Sequence, residues 1–571
     1  MPLQCARHGR AVFLSLNDAY FLGSSIRHSQ RLRTVFHNAP TDFESLYGVS
    51  TGRWLYNDKF QRAARYTPFN VEGLQEVACK AVDAARCVHL NALRIGMNNK
   101  VFLMRFNNGK EAVARIPTSL AGNTYLTTAS EAATLRYLRD ECNLPVPRVL
   151  AWSTQPQPNP VGTDFMIMEY VPGVPLLWRW QAISGKQVED SLIKILTLDT
   201  TLPKHAFSQI GSLYFKEDVS PELQNRPLYL DETRNMSEAA QKYRIGPVVD
   251  ESWWRGKRLQ MAAERGPFPD MLSYLTAAAK LQQDFLAGLD DKDIEQGFQY
   301  STKAELPELR NLLERCLLIA PHLIPKNPDY LSPILAHPEL VLPNIMVAPT
   351  GNATINAFLD WQGAVAAPLV MQTSPASVLR YTADKIEYDS AGKPILPADI
   401  DRMPPEDQKR VRIHHKLAMR QYIYIDTITK LDPHRKAIWT TAESYVTVYP
   451  YLVKQILRCW ADGPFALRNS LINLWHDWEK IRPEGPPCPI DFSEKELEAH
   501  QLEAERRDIY GEQTESLKWD TACHGDGWVE NVDFEKAKKA VEKVRERWEK
   551  CEEASGGPFP FRDGAWAHHL A

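Results

Sequence analysis

Leu335-Ala336-His337-Pro338-Glu339-Leu340-Val341-Leu342-Pro343-Asn344-Ile345-Met346-Val347, followed shortly by Phe358-Leu359-Asp360-Trp361, is the stretch whose reading decides the fold. It opens with a His and then an acid, and an Asn stands just before an apolar run. Gly351-Asn352 has the composition of a hairpin turn, and Ala357-Phe358-Leu359 reads as the returning strand, ending in Asp360. Phosphoryl transfer of the kinase kind needs these parts in this order. An acid orients an acceptor hydroxyl and takes its proton, while an Asn and a strand-end Asp hold Mg²⁺ on nucleotide phosphates. A turn with a helper hydrogen bond would leave the same short pattern, so the upstream half of the chain has to supply the remaining parts.

Upstream, Lys100 to Phe106 and Ala112 to Ile116 are short apolar runs joined by Asn108-Gly109, a two-residue hairpin signal. Ala129 to Leu138 has helical propensity with Thr128 or Ser130 as cap, and Pro145 and Pro147 end that unit. Val149 to Trp152 and Phe165 to Tyr170 read as two further strands, punctuated by Pro172-Gly173. The spacing therefore predicts a small sheet with one helix over roughly residues 95–172. Residues 42–95 read as an introductory helical segment, with Leu74, Val77, Ala78, Val82 and Ala85 at helical spacing between Val71 and Cys87. From Val188 onward the pattern is mainly helical, near 188–200, 269–288, 305–319 and 405–480, with the Ile345–Asp360 hairpin as its one clear strand pair. An antiparallel-sheet lobe followed by a larger helical lobe predicts an α+β, bilobal, protein-kinase-like fold with the cleft between the lobes.

In that frame Arg115, at the end of the second hairpin strand, can clamp nucleotide phosphates, and Glu131 on the following helix can orient it, because a guanidinium is a fixed fork of donors. Gly96 stands where a phosphate-covering loop is needed, although one glycine is a sparse signal. The run Phe165 to Gly173 reads equally as a core strand or as the wall of an adenine pocket, with backbone groups near Glu169 and Val171 facing the base. His524-Gly525-Asp526-Gly527 with Asn531 repeats the His-x-acid spacing, but Asn531 opens a charged helix and no strand-end Asp follows, so a turn and helix cap is the reading there.

Composition narrows the classes. A net charge of −4 gives no basic excess to displace counterions from nucleic acid. Nine Cys without a Cys-x-x-Cys pair form no metal or disulfide framework. No apolar run approaches the length of a membrane span. The first forty residues carry Arg7, Arg10, Arg27, Arg31 and Arg33, several Ser, and Asp18 as the one acid before Asp42. That is the composition of a mitochondrial presequence, and a disordered or mispredicted N-terminus with no address is the other reading. The predicted segments are 1–41 as presequence, 42–175 as N-terminal lobe, 176–485 as helical lobe and 486–571 as a charged helical tail. In the tail, Phe534, Ala537, Val541, Val544, Trp548 and Cys551 form one stripe, suited either to a protein partner or to docking on the chain's own lobe.

The order Lys100-Val101-Phe102, Val113-Ala114-Arg115-Ile116-Pro117, Ser130-Glu131-Ala132-Ala133-Thr134, Pro145-Val146-Pro147, Asn159-Pro160-Val161-Gly162, Ile167-Met168-Glu169 and Leu359-Asp360-Trp361-Gln362 resembles the aminoglycoside phosphotransferase-like (APH) family. It is similar in particular to the fungal branch that includes the altered-inheritance-of-mitochondria protein 9 type. The resemblance implies a kinase-like fold, ATP and Mg²⁺ as cofactors, phosphoryl transfer to a small-molecule hydroxyl, and a mitochondrial location. It gives Asn344 and Asp360 the metal, Arg115 the phosphates, Glu131 the orienting role, and the His337–Glu339 segment the catalytic loop. Three positions depart from it. Glu339 replaces the usual Asp, Val341 a usual His, and Met97 a usual second loop Gly. One extra methylene moves a carboxylate by about 1 Å, a misplacement that can cost about 100-fold in rate. The resemblance therefore admits two readings, a working phosphotransferase and a catalytically impaired kinase-like protein acting through nucleotide or partner binding.

Overall fold

A computed structural model describes residues 44–48, 52–95, 98–153, 158–291, 301–381, 386–521, 527–549 and 559–560. The predicted presequence, Gly96-Met97 and His524 to Asp526 lie outside the described residues.

The first lobe is built on helix α1 (Val71–Val82) and the antiparallel sheet of β1 (Cys87–Ile95), β2 (Asn99–Phe106), β3 (Glu111–Pro117), β4 (Val149–Trp152) and β5 (Met166–Glu169), in the order β1-β2-β3-β5-β4. Phe102, Met104, Ala112, Ala114, Ile116 and Ile167 fill one face and pack with Val71, Leu74 and Ala78 of α1. Period-2 alternation sends their neighbours to the other face, so Val101 and Arg115, paired across β2 and β3, look toward the second lobe. The hairpin turn stands where Asn108-Gly109 predicts it, with Gly109 at φ +78°.

Two expectations are corrected here. Residues 87–95 are a strand, and the first of the sheet, where an introductory helical segment was expected to run to 95. Helix α1 stops at Val82 because Asp83 turns left-handed, at φ 54°. Helix α2 (Thr124–Asp140) starts earlier than predicted and is capped by Asn123, whose side chain accepts from Leu126 N at 3.0 Å. Thr128 and Ser130 lie inside it, and the Thr128 hydroxyl bonds back to Thr124 O at 2.7 Å.

After Pro172 the chain enters the second lobe through β6 (Val174–Pro175), which pairs with β7 (Ile345–Val347), and β7 in turn pairs with β8 (Ile355–Phe358). Gly173 makes this junction possible. Its φ is +140°, and a Cβ there would stand 2.5 Å from Val347 O. The helices include α3 (Lys186–Thr201), α4 (Met271–Ala287), α5 (Leu306–Ile319), α6 (Pro405–Leu431), α7 (Leu452–Asp462) and α8 (Phe465–His476). They share one core with Trp253, Phe268, Phe358 and Trp361. The hairpin is not the lobe's one strand pair: Ser212–Phe215 pairs with Tyr243–Gly246, and Pro333–Leu335 with Ala366–Pro368. Segments of three or four residues carry too few alternations to declare themselves as strands.

The tail comprises α9 (Glu494–Thr521) and α10 (Phe534–Glu549). Phe534, Ala537, Val541, Val544 and Trp548 are buried in a cluster with Tyr56, Leu517, Val529 and Phe559, so this part of the predicted stripe is covered by the chain itself. Trp528–Glu530 pairs with Gly52–Trp54, a contact between the two ends of the chain that local pattern does not announce. Among the described residues, no helix is long and apolar enough to cross a membrane.

Candidate active site

The site grows from the β7–β8 ribbon. Its register sets Ile345 opposite Phe358, and the next rung is a 2.7 Å bond from Leu359 N to Asn344 O. Asn344 and Asp360 therefore sit at the same end of the ribbon. The Asn344 Nδ2 donates to Glu339 O at 3.0 Å, which ties the loop and leaves the amide oxygen with no acceptor-side partner among the described residues. Asp360 has φ +64°, a conformation that costs most side chains roughly 1–2 kcal/mol and that Asp tolerates. The wholly buried Trp361 beside it anchors that turn, and the Asp360 side chain keeps 46% of its exposure.

Above the ribbon, Arg115 reaches across from β3. Its Nη1 pairs with Glu131 of α2, while Nη2 meets Asp360 Oδ1 at 3.1 Å and Gln362 Oε1 at 2.8 Å. Gln362 Oε1 also accepts from Asn99 Nδ2 at 2.5 Å. Burial opposes the charge on Arg115, but Glu131 and Asp360 outweigh it and hold its pKa above the ordinary value. For Glu131 burial is again the largest effect and pushes its pKa up, with Arg115 pulling it down. Trp361 adds a backbone hydrogen bond to Glu131. One guanidinium thus joins the sheet, the helix of the first lobe and the ribbon of the second.

His337, expected among the catalytic groups, has both ring nitrogens engaged. Nε2 donates to Leu359 O at 2.8 Å, and Nδ1 accepts from Glu339 N at 3.1 Å. The ring lies 4.5 Å from that of Trp361. Burial lowers its pKa to about 4, so it is neutral near pH 7, and it acts as a brace between the loop and the end of β8. Glu339 is exposed on the loop between His337 and Asn344. Among the residues expected near an adenine, the Glu169 N–H already donates to Arg148 O at 2.9 Å. The Glu169 carboxylate is held by Arg139 Nη1 and Arg148 N, each at 2.9 Å, so its side chain braces the sheet. The Val171 amide meets no acceptor among the described residues. Gly96 lies outside the described residues.

Two groups were not foreseen. Gln362 stands at the end of the Leu359–Gln362 motif, and a neutral amide after a Trp carries no pattern that would assign it a role. Asn98, beside the Gly96 position, donates through Nδ2 to Glu251 Oε2 of the second lobe at 2.9 Å. Glu251 in turn pairs with Arg255 at 2.7 Å, and Arg255 Nη2 reaches back to Leu120 O at 3.3 Å. The lobes are therefore stitched together at this edge of the cleft as well as through Arg115.

The donor set suits a hard cation in a particular way. Among the described residues no three His, Cys, Asp or Glu side chains cluster to hold a metal. Asn344 and Asp360 offer two oxygens, and Mg²⁺ is usually held by one or two carboxylates with phosphate and water completing its octahedron. The set fits a nucleotide-borne Mg²⁺ and does not fit a closed, all-protein metal cage.

This geometry meets its relatives. The model of the phosphotransferase enzyme family, APH, matches residues 89–372. A subtelomeric hrmA-associated cluster protein of Aspergillus fumigatus is 30% identical over 520 residues, covering 84% of this chain and 97% of the relative. The chain belongs to the APH phosphotransferase family. Within it, the altered inheritance of mitochondria protein 9, mitochondrial, of Clavispora lusitaniae is 26% identical, covering 86% of each chain. The APH fold, an antiparallel sheet lobe followed by a helical lobe, is the fold of this protein. Among solved structures, aminoglycoside phosphotransferase APH(4)-Ia is 13% identical and covers 73% of this chain and 100% of its own, with a TM-score of 0.34. A thermostable mutant of that enzyme was crystallised with ADP and hygromycin B.

Proposed function

We propose that this APH-family protein is a mitochondrial phosphotransferase that uses ATP and Mg²⁺ to phosphorylate a small-molecule hydroxyl. The observation that carries the reading is the fork at Arg115, which holds Glu131 and Asp360 at once, while Leu359, the residue before Asp360, bonds Asn344 O across the ribbon. A cation oriented by a buried carboxylate and set beside two oxygen ligands is what transfer of a multiply charged phosphoryl group requires.

In this mechanism Val171 offers its amide to the base. Asp360 and Asn344 would hold Mg²⁺, which neutralises charge on the β- and γ-phosphates. Arg115 exchanges its contact with Asp360 for a phosphate oxygen while Glu131 keeps it in place. Glu339 orients the acceptor hydroxyl and takes its proton as the hydroxyl oxygen bonds to phosphorus and the bond to ADP breaks. Catalysis by this chain is then mostly positioning and electrostatics. The test is thermal stabilisation by ATP. It should depend on Mg²⁺ and vanish in Asp360→Ala, and equal stabilisation with and without Mg²⁺ would refute the metal assignment.

A second reading, a catalytically impaired member that binds nucleotide or a partner, is favoured by Glu standing at residue 339 where the family carries Asp. Glu339→Asp discriminates. A gain in ATP turnover marks a misplaced base in a working site, and an unchanged background supports the binding role. The mitochondrial assignment rests on the Arg-rich, acid-poor first forty residues and on relatives named mitochondrial. Fusing residues 1–45 to a fluorescent reporter tests it, and a diffuse cytosolic signal would refute it.

A further inference from the structure

Beyond Asp360 the chain runs to residues 374–381 and returns there to the loop that carries Glu339, where Val378 N donates to Leu340 O at 3.0 Å. Arg380 leaves this segment half-buried, and its Nη2 donates to Tyr451 Oη at 2.6 Å, just ahead of α7. Ser374 Oγ donates to the same oxygen at 3.2 Å. Tyr451, Lys454 and Arg458, spaced by three and four, share one face at the start of α7, while Val453, Ile456, Leu457 and Trp460 fill the core on the other. That face leads to Glu251, which Asn98 reaches from the first lobe. Burial opposes the charge on the Glu251 carboxyl, but Arg255, Lys454 and the Asn98 hydrogen bond outweigh it and hold its pKa below the ordinary value. Lys454 therefore stands beside this contact between the lobes. Arg380 and Lys454 flank the part of the cleft that lies between the Glu339 loop and Asn98.

The unspent polar groups along this edge are donors. Among the described residues Arg380 meets no carboxylate, and its Nε and Nη1 hydrogen-bond no acceptor. Tyr451 Oη accepts twice, and its proton goes to no described acceptor. Lys454 is exposed and enters no ion pair, whereas Arg458 on the same face is held by Asp462 at 2.8 Å and 2.9 Å. A half-buried cation left without an anion is costly, so a molecule that supplies one is a physical reason for this arrangement.

We infer that the acceptor phosphorylated in this cleft is itself an anion: a small hydroxyl compound carrying a phosphate or carboxylate, gripped by Arg380 and Tyr451 and drawn in by Lys454. The inference rests on the phosphotransferase reading and gives it a substrate class. Glu339 faces the hydroxyl, and Arg380 holds the anionic group, which takes no part in the transfer. A guanidinium fork meets two oxygens of either anion. A neutral polyol forgoes that grip, and a cationic acceptor is repelled by both side chains.

Calorimetric titration of the full chain tests it. Mg²⁺ and AMP-PNP are added first to fill the nucleotide site, and glucose 6-phosphate, gluconate or glucose follows. These share a carbon skeleton and carry phosphate, carboxylate or neither. The pair β-glycerophosphate and glycerol repeats the comparison on a smaller frame. An anionic member should bind saturably and at least tenfold tighter than its neutral parent, and the phosphate and carboxylate arms tell which anion is read. Arg380→Gln should remove most of that preference. Arg380→Lys, which keeps the charge without the fork, should restore part of it. Lys454→Gln should weaken anion binding severalfold at unchanged melting temperature, since the side chain is exposed, and it carries the test should the Arg380 variants not fold. Nucleotide binding with no preference for any anion over its parent would overturn the inference and leave the phosphotransferase reading standing. A preference that survives both Arg380→Gln and Lys454→Gln would overturn it too, by placing the anion elsewhere. Failure of Mg²⁺ and AMP-PNP to bind at all would refute the reading of the cleft, and this inference with it.

Discussion

Arg115 is the residue through which both lobes meet, and its value lies in its shape as much as its charge. Two nitrogens on one plane reach a helix carboxylate and a ribbon carboxylate together, which a lysine ammonium on a flexible stem cannot do. Truncating it leaves Glu131, 3% exposed, without its cation. Arg115→Met should therefore cost about 3–5 kcal/mol of unfolding free energy, the usual result of breaking one side of a buried pair. Adding Glu131→Gln should recover part of that loss, because the orphaned charge is gone. Urea denaturation of the two variants checks this, and a double mutant no better than the single would mean Glu131 is already neutral. The pairing of Arg115 with Glu131 could be read from sequence because a charge set among apolar strand or helix residues needs a partner. Gln362 could not. Its function is a contact made across 247 residues to Arg115, and nothing local marks it.

At the scale of elements, the loop of residues 337–344 and the ribbon are held in register by His337, which bonds Leu359 O with one nitrogen and Glu339 N with the other. That arrangement needs the neutral ring, and burial supplies it by lowering the pKa from 6.5 to about 4. The sign follows from proton counting. Between pH 6.5 and 4 the unfolded chain takes up a proton that the folded chain refuses, so the stability present above pH 6.5 is lost as pH falls toward 4. His205 and His500 are lowered to about 4 by burial too and act in the same window. His337→Gln should thus remove about a third of the histidine-linked slope, read as melting temperature against pH for variant and parent. Parallel curves would show that His337 does not titrate with folding. Among the elements themselves, the Asn108-Gly109 hairpin was legible because its turn chemistry is local. Strand β1 was not, because Asp83 ends α1 by a left-handed turn that an Asp does not advertise, and the strand's register shifts between Cys87 and His89 and between Ala92 and Arg94, which breaks its period.

The molecule as a whole has a second connection between its lobes, and it runs through the tail. Helix α9 has 28 residues, about 42 Å at 1.5 Å per residue. One end is fixed to the helical lobe, where Arg468 pairs with Glu308 and Glu503, its Nε meets His500 Nδ1 at 3.1 Å, and Arg315 meets Glu496 at 2.8 Å. The other end enters the cluster of Leu517, Tyr56 and Trp548, and the following strand pairs with Gly52–Trp54. Just beyond that strand, helix Asp58–Arg65 is tied to the loop before α2 by a 2.9 Å bond from Ser119 Oγ to Ala64 O. The path therefore runs from α8 along α9, through the paired chain ends, to the helix that carries Glu131. A strut of this kind limits how far the lobes can separate around Gly173, and it predicts that loosening its far anchor is felt at the cleft. Arg468→Ala removes the network at the α8 end and should cost about 1–3 kcal/mol, since the charges are partly exposed and their partners can resolvate. Its informative consequence is elsewhere: amide exchange should quicken at residues 119–131 while α3, which the path does not touch, keeps its protection. Faster exchange confined to α9 and α10 would mean that the tail rides on the lobes without coupling them. If the coupling holds, the chain ends belong to the machinery that positions Arg115, and trimming them would alter the cleft without touching a residue in it.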